Sequence, residues 1–350
     1  MKARTMTSFE RVTTALNQRE PDQVPLFLFL SLYGAKEMGM SVQKYFSQPD
    51  HVVTAQLKMK AKYRHDCLYA FFYAAIEIEA MGGEVVYTDC GPPNTGQPVI
   101  KSSSKIKTLD LPRVRTNRCL IRVLEVIQQL KAKVGTGDPI IGVVMSPFSL
   151  AALQLGLGKY LELLYFDRHS FRTLMQKNSV FCIEWANAQL EAGADAICYF
   201  NPLASPDLIE RKTYLNTGYP IDKLTLSQIN GPTAMHLASG MTLPVVKDII
   251  DTGAAVLGFS SQDDLDQIKQ ETYPNICLLG NLNGLEMVHW NTDQARQQVR
   301  LIIDKVGPGG SLILADNHGE IPWQVPEKIL LAISEAVQHY GRYPLDGNKK

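Results

Sequence analysis

Several things are missing from this sequence, and each absence narrows the field. No stretch approaches the ~20 continuous apolar residues of a membrane span, so an integral membrane protein is not expected. No CxxC pair occurs; the cysteines stand singly at 67, 90, 119, 182, 198 and 277. That spacing builds no disulfide framework, and buried, reduced thiols are the expectation. An excess of one charge is missing too: 35 Lys and Arg balance 35 Asp and Glu, with no basic run among them. The electrostatic motive for a nucleic-acid or anionic-membrane partner is thereby removed. The opening segment, MKARTMTSFERVTTALNQRE, lacks the apolar core of a secretory signal. It reads as a polar start and an amphipathic helix capped near Thr7 or Ser8. A soluble, cytoplasmic protein is expected.

What the sequence does have is a rhythm. Apolar runs of strand length recur at VPLFLFL (24–30), DCLYAFF (66–72), PIIGVVM (139–145), ADAICYF (194–200), TAMHL (233–237), AAVLGF (254–259), NICLLG (275–280) and SLILA (311–315). Most are continuously apolar rather than alternating, as strands covered on both faces are. Helical patterns lie between them, such as the stretch from Tyr160 to Ala194 and TDQARQQVRLIIDKV before Gly307. Strand–helix alternation implies a parallel sheet. Eight such units predict an α/β fold, a single (β/α)8 TIM barrel spanning 1–350. A hairpin inserted at 82–100, near the second strand, and the N-terminal helix complete it. An open doubly wound sheet is the second architecture. No glycine-rich phosphate turn follows the first strand, which weakens that alternative and gives no reason to expect a nucleotide.

In such a barrel, the residues just past the strand C-termini face the active-site mouth. These are Ser31 and Tyr33, Tyr73 and Glu77, Ser146, Asn201 and Ser205, His236, Ser260 and Gln262, Asn281 and Asn283, and then Asn317 and His318. The mouth is polar, holds two histidines and has few cations, which suits a small substrate better than a polycarboxylate. Each residue also has a plainer reading. His236 would serve as a hydrogen-bonded core histidine, Tyr73 as a packed aromatic, and Asn201 and Ser205 as turn residues between prolines. Glu77 and Glu79 are two apart on a predicted helix, so at most one faces the mouth.

ERVTTALNQREPDQVPLF, GADAICYFNPLASPDLI, GNLNG and NHGEIPWQVPE together resemble the uroporphyrinogen decarboxylase superfamily, in order from about Phe9 to Tyr340. The resemblance implies a barrel with its site at the mouth. Its decarboxylases carry an arginine-bearing segment after the first strand and an aspartate after the second. Here those places read LFLSLYGAK, with only Lys36 as a cation, and AFFY, with Tyr73. His318-Gly319 matches the decarboxylase branch. AIEIEAMGGEV and NPLASPDLI are similar to the corrinoid-dependent methyltransferase branch, of the methylcobamide:coenzyme M type, and favour Glu77 over Glu79. In that branch the resemblance implies zinc held by a His-x-Cys pair and a later cysteine. Here the pair reads His236-Leu237-Ala238, and the later segment has His318 but no cysteine.

The expected enzyme is therefore a methyl or one-carbon transferase, working with a corrinoid protein or a small methyl donor. The competing class is a decarboxylase of a pyrrolic or small aromatic acid, and the third is a binding protein that kept the barrel alone. The catalytic candidates are His236, His318, Glu77 and Tyr73. The substrate-binding candidates are Asn201, Ser205, Ser146, Asn281, Asn317 and Tyr33. Two chemistries stay open for the histidines. With Glu77, and Asp89 near by, they would form a two-His, one-carboxylate site for a divalent metal such as zinc. Without metal they would move protons near neutral pH.

Overall fold

The computed structural model describes residues 5–345. Eight parallel strands form one curled sheet: β1 (Leu26–Phe27), β2 (Leu68–Tyr69), β5 (Ile140–Met145), β6 (Ala196–Phe200), β7 (Thr233–His236), β8 (Val256–Gly258), β9 (Cys277–Leu282) and β10 (Leu312–Asp316). Two further strands, β3 (Val85–Val86) and β4 (Asn94–Thr95), pair antiparallel with each other outside this sheet. The spatial order is β1-β10-β9-β8-β7-β6-β5-β2. The curl brings the two end strands together, for Asp66 N donates to Leu26 O at 2.7 Å. The architecture is TIM-barrel-like.

Beyond that bond the seam is mended by side chains. Gln56, on the helix Pro49–Tyr63, donates to Leu30 O at 2.6 Å and accepts from Tyr69 N at 3.0 Å. Its amide thus takes the place of a ladder rung between the first two strands. This is why β1 and β2 are far shorter than the apolar runs that contain them. Asp66 accepts from Leu26 N at 2.9 Å and pairs with Arg11 at 2.6 Å. Arg11 lies on the helix Ser8–Leu16, where Thr7 and Glu10 form a capping box. Val12 and Leu16 of that helix line a small apolar cavity of about 40 Å³, together with Phe27, Cys67, Val256 and Ile313.

Alternation along the strands decides what points inward. Cys198, Phe200, Ala234, Val256, Leu279 and Ala315 belong to one buried cluster, while Tyr199, Met235, Leu257 and Leu314 belong to the surrounding one. Phe200 pairs with His236 and His236 with Gly258, which sets His236 on the inner face. Two segments differ from expectation. The helical stretch from Tyr160 is two helices, Leu157–Phe166 and Arg168–Ala192, because Asp167 leaves helical geometry to accept from Ser170 N at 3.0 Å. Five cysteines are buried, but Cys90 is exposed. No helix among the described residues is long and apolar enough to cross a membrane.

Candidate functional site

The final strand explains why polar residues crowd its end. Asp316 Oδ1 accepts from the backbone N of His318 and of Gly319, both at 2.8 Å, and so folds the turn. Asn317 accepts from Ser261 N at 3.2 Å and donates to Leu282 O at 3.1 Å. His318 Nδ1 meets Ser239 Oγ at 2.9 Å. Gly319, at φ +91°, accepts from Tyr69 OH through its carbonyl at 3.0 Å. Glu320 takes the Ser31 hydroxyl and, at 3.2 Å, Leu32 N. One five-residue segment thereby ties together the loops after β1, β7 and β8 and the end of β9. Asp263 adds another tie, accepting from Leu243 N at 3.0 Å and Ser260 N at 2.9 Å.

His236 sits inside this rim with no exposed surface. Phe29 meets its ring edge-on at 5.5 Å, and Phe200 lies 4.9 Å away, tilted by 47°. Gly258 leaves the space the ring needs, since a Cβ there would stand 2.5 Å from Cδ2. Nδ1 accepts from Ala238 N at 3.0 Å. Nε2 is buried and finds no partner among the described residues. An unmet buried group of this kind costs about 1–3 kcal/mol. Burial, and then the neighbouring His318, push its pKa down to about 3, so the imidazole is neutral at pH 7. Burial also lowers that of His318, which stays partly exposed. A Cβ on Gly319 would lie 3.5 Å from His236 Cε1, which brings the two imidazole positions into one neighbourhood.

Two acids share this neighbourhood. Burial raises the pKa of Asp316 to about 7 against its backbone hydrogen bonds, and its Oδ2 has no hydrogen-bond partner among the described residues. Glu320 is also raised to about 7, first by burial, while Ser31 and Leu32 oppose the rise and the Asp316 charge adds to it.

The other candidates lie elsewhere or are already engaged. Glu77 is buried with its carboxylate accepting from Met145 N at 3.2 Å. Burial raises its pKa to about 7. Its carboxylate faces Met145 N and Trp185, not either histidine, so it does not complete a set with them. Asp89 is exposed, on the segment linking β3 and β4. Tyr73 donates to Glu79, receives a bond from Tyr87 OH at 3.3 Å, and packs against Phe46. It is a buried aromatic of that cluster. Asn201 accepts from Ser146 Oγ at 2.8 Å and Ser149 Oγ at 2.9 Å, and donates to Asp222 at 2.6 Å. Asp222 also takes Tyr199 and Tyr214, each at 2.7 Å. The functional groups of Ser146 and Asn201 are thus occupied by protein. Ser205 donates to Met241 O at 3.2 Å, tying two rim loops. Tyr33 OH is bound to Val325 O at 3.0 Å, beside Lys36. Asn281 donates to Ser260 O at 2.7 Å and lines a cavity of about 500 Å³ with Ser261, Asp263, Asn283 and Glu286.

The uroporphyrinogen decarboxylase (URO-D) family model matches residues 7–340. The chain belongs to the uroporphyrinogen decarboxylase family. Among its relatives is the methylcobamide:CoM methyltransferase MtaA of Methanosarcina barkeri, 26% identical over 269 residues, covering 75% of this chain and 76% of the relative. Another is the uroporphyrinogen decarboxylase of Citrifermentans bemidjiense, 27% identical over 267 residues, covering 73% and 75%. A solved methyltransferase from Methanosarcina mazei superposes with a TM-score of 0.86 at 21% identity, over 96% of this chain and 99% of that one. That likeness bears on the fold alone.

Family membership raises the question of zinc. Among the described residues no group of three or more His, Cys, Asp or Glu side chains is placed to hold a metal ion. Position 238 is Ala, and its N–H occupies one nitrogen of His236. The expected His236, His318 and Glu77 set is not assembled, because Glu77 faces the backbone of β5. These donors do not fit a zinc ion. Expectation had also passed over Ser239, Gly258 and the ring-lining Phe29 and Phe200. No motif marks them: only the curl of the sheet brings Phe29, Phe200 and Gly258 against His236 and Ser239 against His318.

Proposed function

We propose that this protein is a methyl or one-carbon transferase whose substrate meets His236 and His318 at the mouth of the barrel. The one-carbon unit comes from a corrinoid protein or a small methyl donor, and residues 1–350 act as one catalytic unit in the cytoplasm. The observation that carries this reading is the buried, neutral His236, walled by Phe29 and Phe200 and unpartnered at Nε2. An apolar wall with one aimed polar atom suits a small, weakly charged reactant. Kinship with a methylcobamide:CoM methyltransferase supports the same reaction class.

In this reading the bond from methyl to donor breaks, with its electron pair remaining on the donor. The acceptor's lone pair forms the new bond, and the acceptor's proton must leave. His318, neutral because burial lowers its pKa, is held through Nδ1 by Ser239 and takes that proton. Asp316 shapes the turn that presents it.

Decarboxylation of a porphyrin-like acid is less well supported, because the ionisable side chains joined at this rim are acids and imidazoles. The test is anaerobic incubation of the full chain with methylcobalamin and a panel of thiols, followed by the cobalamin spectrum. Protein-dependent demethylation, lost in His318→Ala, is expected. An unchanged spectrum with every acceptor overturns the reading.

A further inference from the structure

We infer that His236 is a fixed, neutral hydrogen-bond donor, presenting Nε2–H to an acceptor atom of the substrate, and is not a metal ligand. The inference takes the mouth as the substrate site, as proposed above, but its evidence is the bonding of one ring. A neutral imidazole has one N–H and one lone pair. The Ala238 N–H points at Nδ1 from 3.0 Å, so the lone pair is on Nδ1 and the proton on Nε2.

A histidine that binds metal through Nε2 carries its proton on Nδ1 and gives it to a carbonyl or carboxylate. Here that arrangement would set two N–H groups head to head. Metal binding through Nδ1 fails for a different reason, since Ala238 already occupies that lone pair. A half-turn of the ring would put Cδ2–H against the Ala238 N–H and forfeit that bond. Larger displacement is opposed by Phe29, Phe200 and Gly258, which pack closely around the ring. Ala238 holds a left-handed backbone, φ +51°, a conformation that costs a residue with a Cβ. The strain falls on the residue whose amide fixes the tautomer.

The Nε2–H is then a donor with no exposed surface and no acceptor among the described residues. A substrate oxygen or sulfur with available lone pairs completes it: a carbonyl, an ether or carboxylate oxygen, or a thiolate. A neutral donor of this kind fixes the position of that atom without itself giving up a proton.

The test uses the full chain labelled with 15N-histidine. The His236 signals are assigned with His236→Gln, or with His236→Asn should the first variant not fold, and the ring is read for its tautomer. Zn2+ is then added, excess is removed by gel filtration, and retained metal is measured. The expected result is an Nε2–H tautomer, with the His236 signals unmoved by Zn2+ and no retained zinc that depends on His236. An Nδ1–H tautomer, or one zinc per chain that moves the His236 signals, overturns the inference. Neither readout uses activity, so failure of the methylcobalamin assay would sink the transferase reading and leave this result standing.

Discussion

Gly258 and His236 show how a residue without a side chain directs one that has chemistry. The imidazole occupies the place a Cβ at 258 would take, with 2.5 Å to Cδ2. Gly258→Ala should therefore displace the ring rather than merely crowd it. We expect at least a tenfold loss of transfer activity and a stability loss of about 1–3 kcal/mol, checked by steady-state rates and urea unfolding. Glu77 makes a different prediction. Burial raises its folded pKa from 4.5 to about 7, so the folded chain holds a proton that the unfolded chain has released. Stability from this group falls as pH rises through that interval, and the penalty is complete above about 7. Glu77→Gln removes the ionisation. The variant should match the parent near pH 5 and exceed it by about 1–3 kcal/mol at pH 8, measured by denaturant titration at both pH values. An equal difference at both pH values would contradict the assignment.

At the scale of elements, the barrel seam and the rim depend on side chains borrowed from outside the strands. Gln56 satisfies Leu30 O and Tyr69 N at once. Gln56→Ala leaves two buried backbone groups unmet, which predicts a loss of about 2–4 kcal/mol. Hydrogen exchange should quicken first at Tyr69. The Asp316–Glu320 segment acts in the same manner, each residue reaching a different loop or turning its own. Much of this was readable beforehand. Continuous apolar runs announced buried parallel strands, and every run overlaps a strand of the sheet. Their lengths were not readable, because a run's hydrophobicity records burial and not pairing. The break at Asp167 escaped for a related reason: apolar periodicity continues across it, and only the cap on Ser170 shows the stop.

For the whole molecule, the charge balance and the content of the rim bear on substrate choice. Lys36, the cation in the segment after β1, is spent on the carbonyls of Trp323 and Val325, at 2.7 and 3.0 Å. A substrate with many carboxylates would meet Asp316 and Glu320 with no such cation to offset them. Incubation with uroporphyrinogen should therefore yield no coproporphyrinogen by chromatography of the oxidised porphyrins. Efficient turnover would contradict this argument.

Sequence alone determined the strand–helix alternation, the eight buried runs, the family likeness and the polar character of the strand ends. These are local properties, written in composition and period. Tertiary structure alone decided which polar groups are free. Asn201, Ser146 and Tyr33 stand at strand ends and are consumed by partners distant in the chain, while His236 keeps one nitrogen unmet. A side chain's availability depends on what the fold brings against it, and residues such as Asp222 and Gly258 carry no local mark of that meeting.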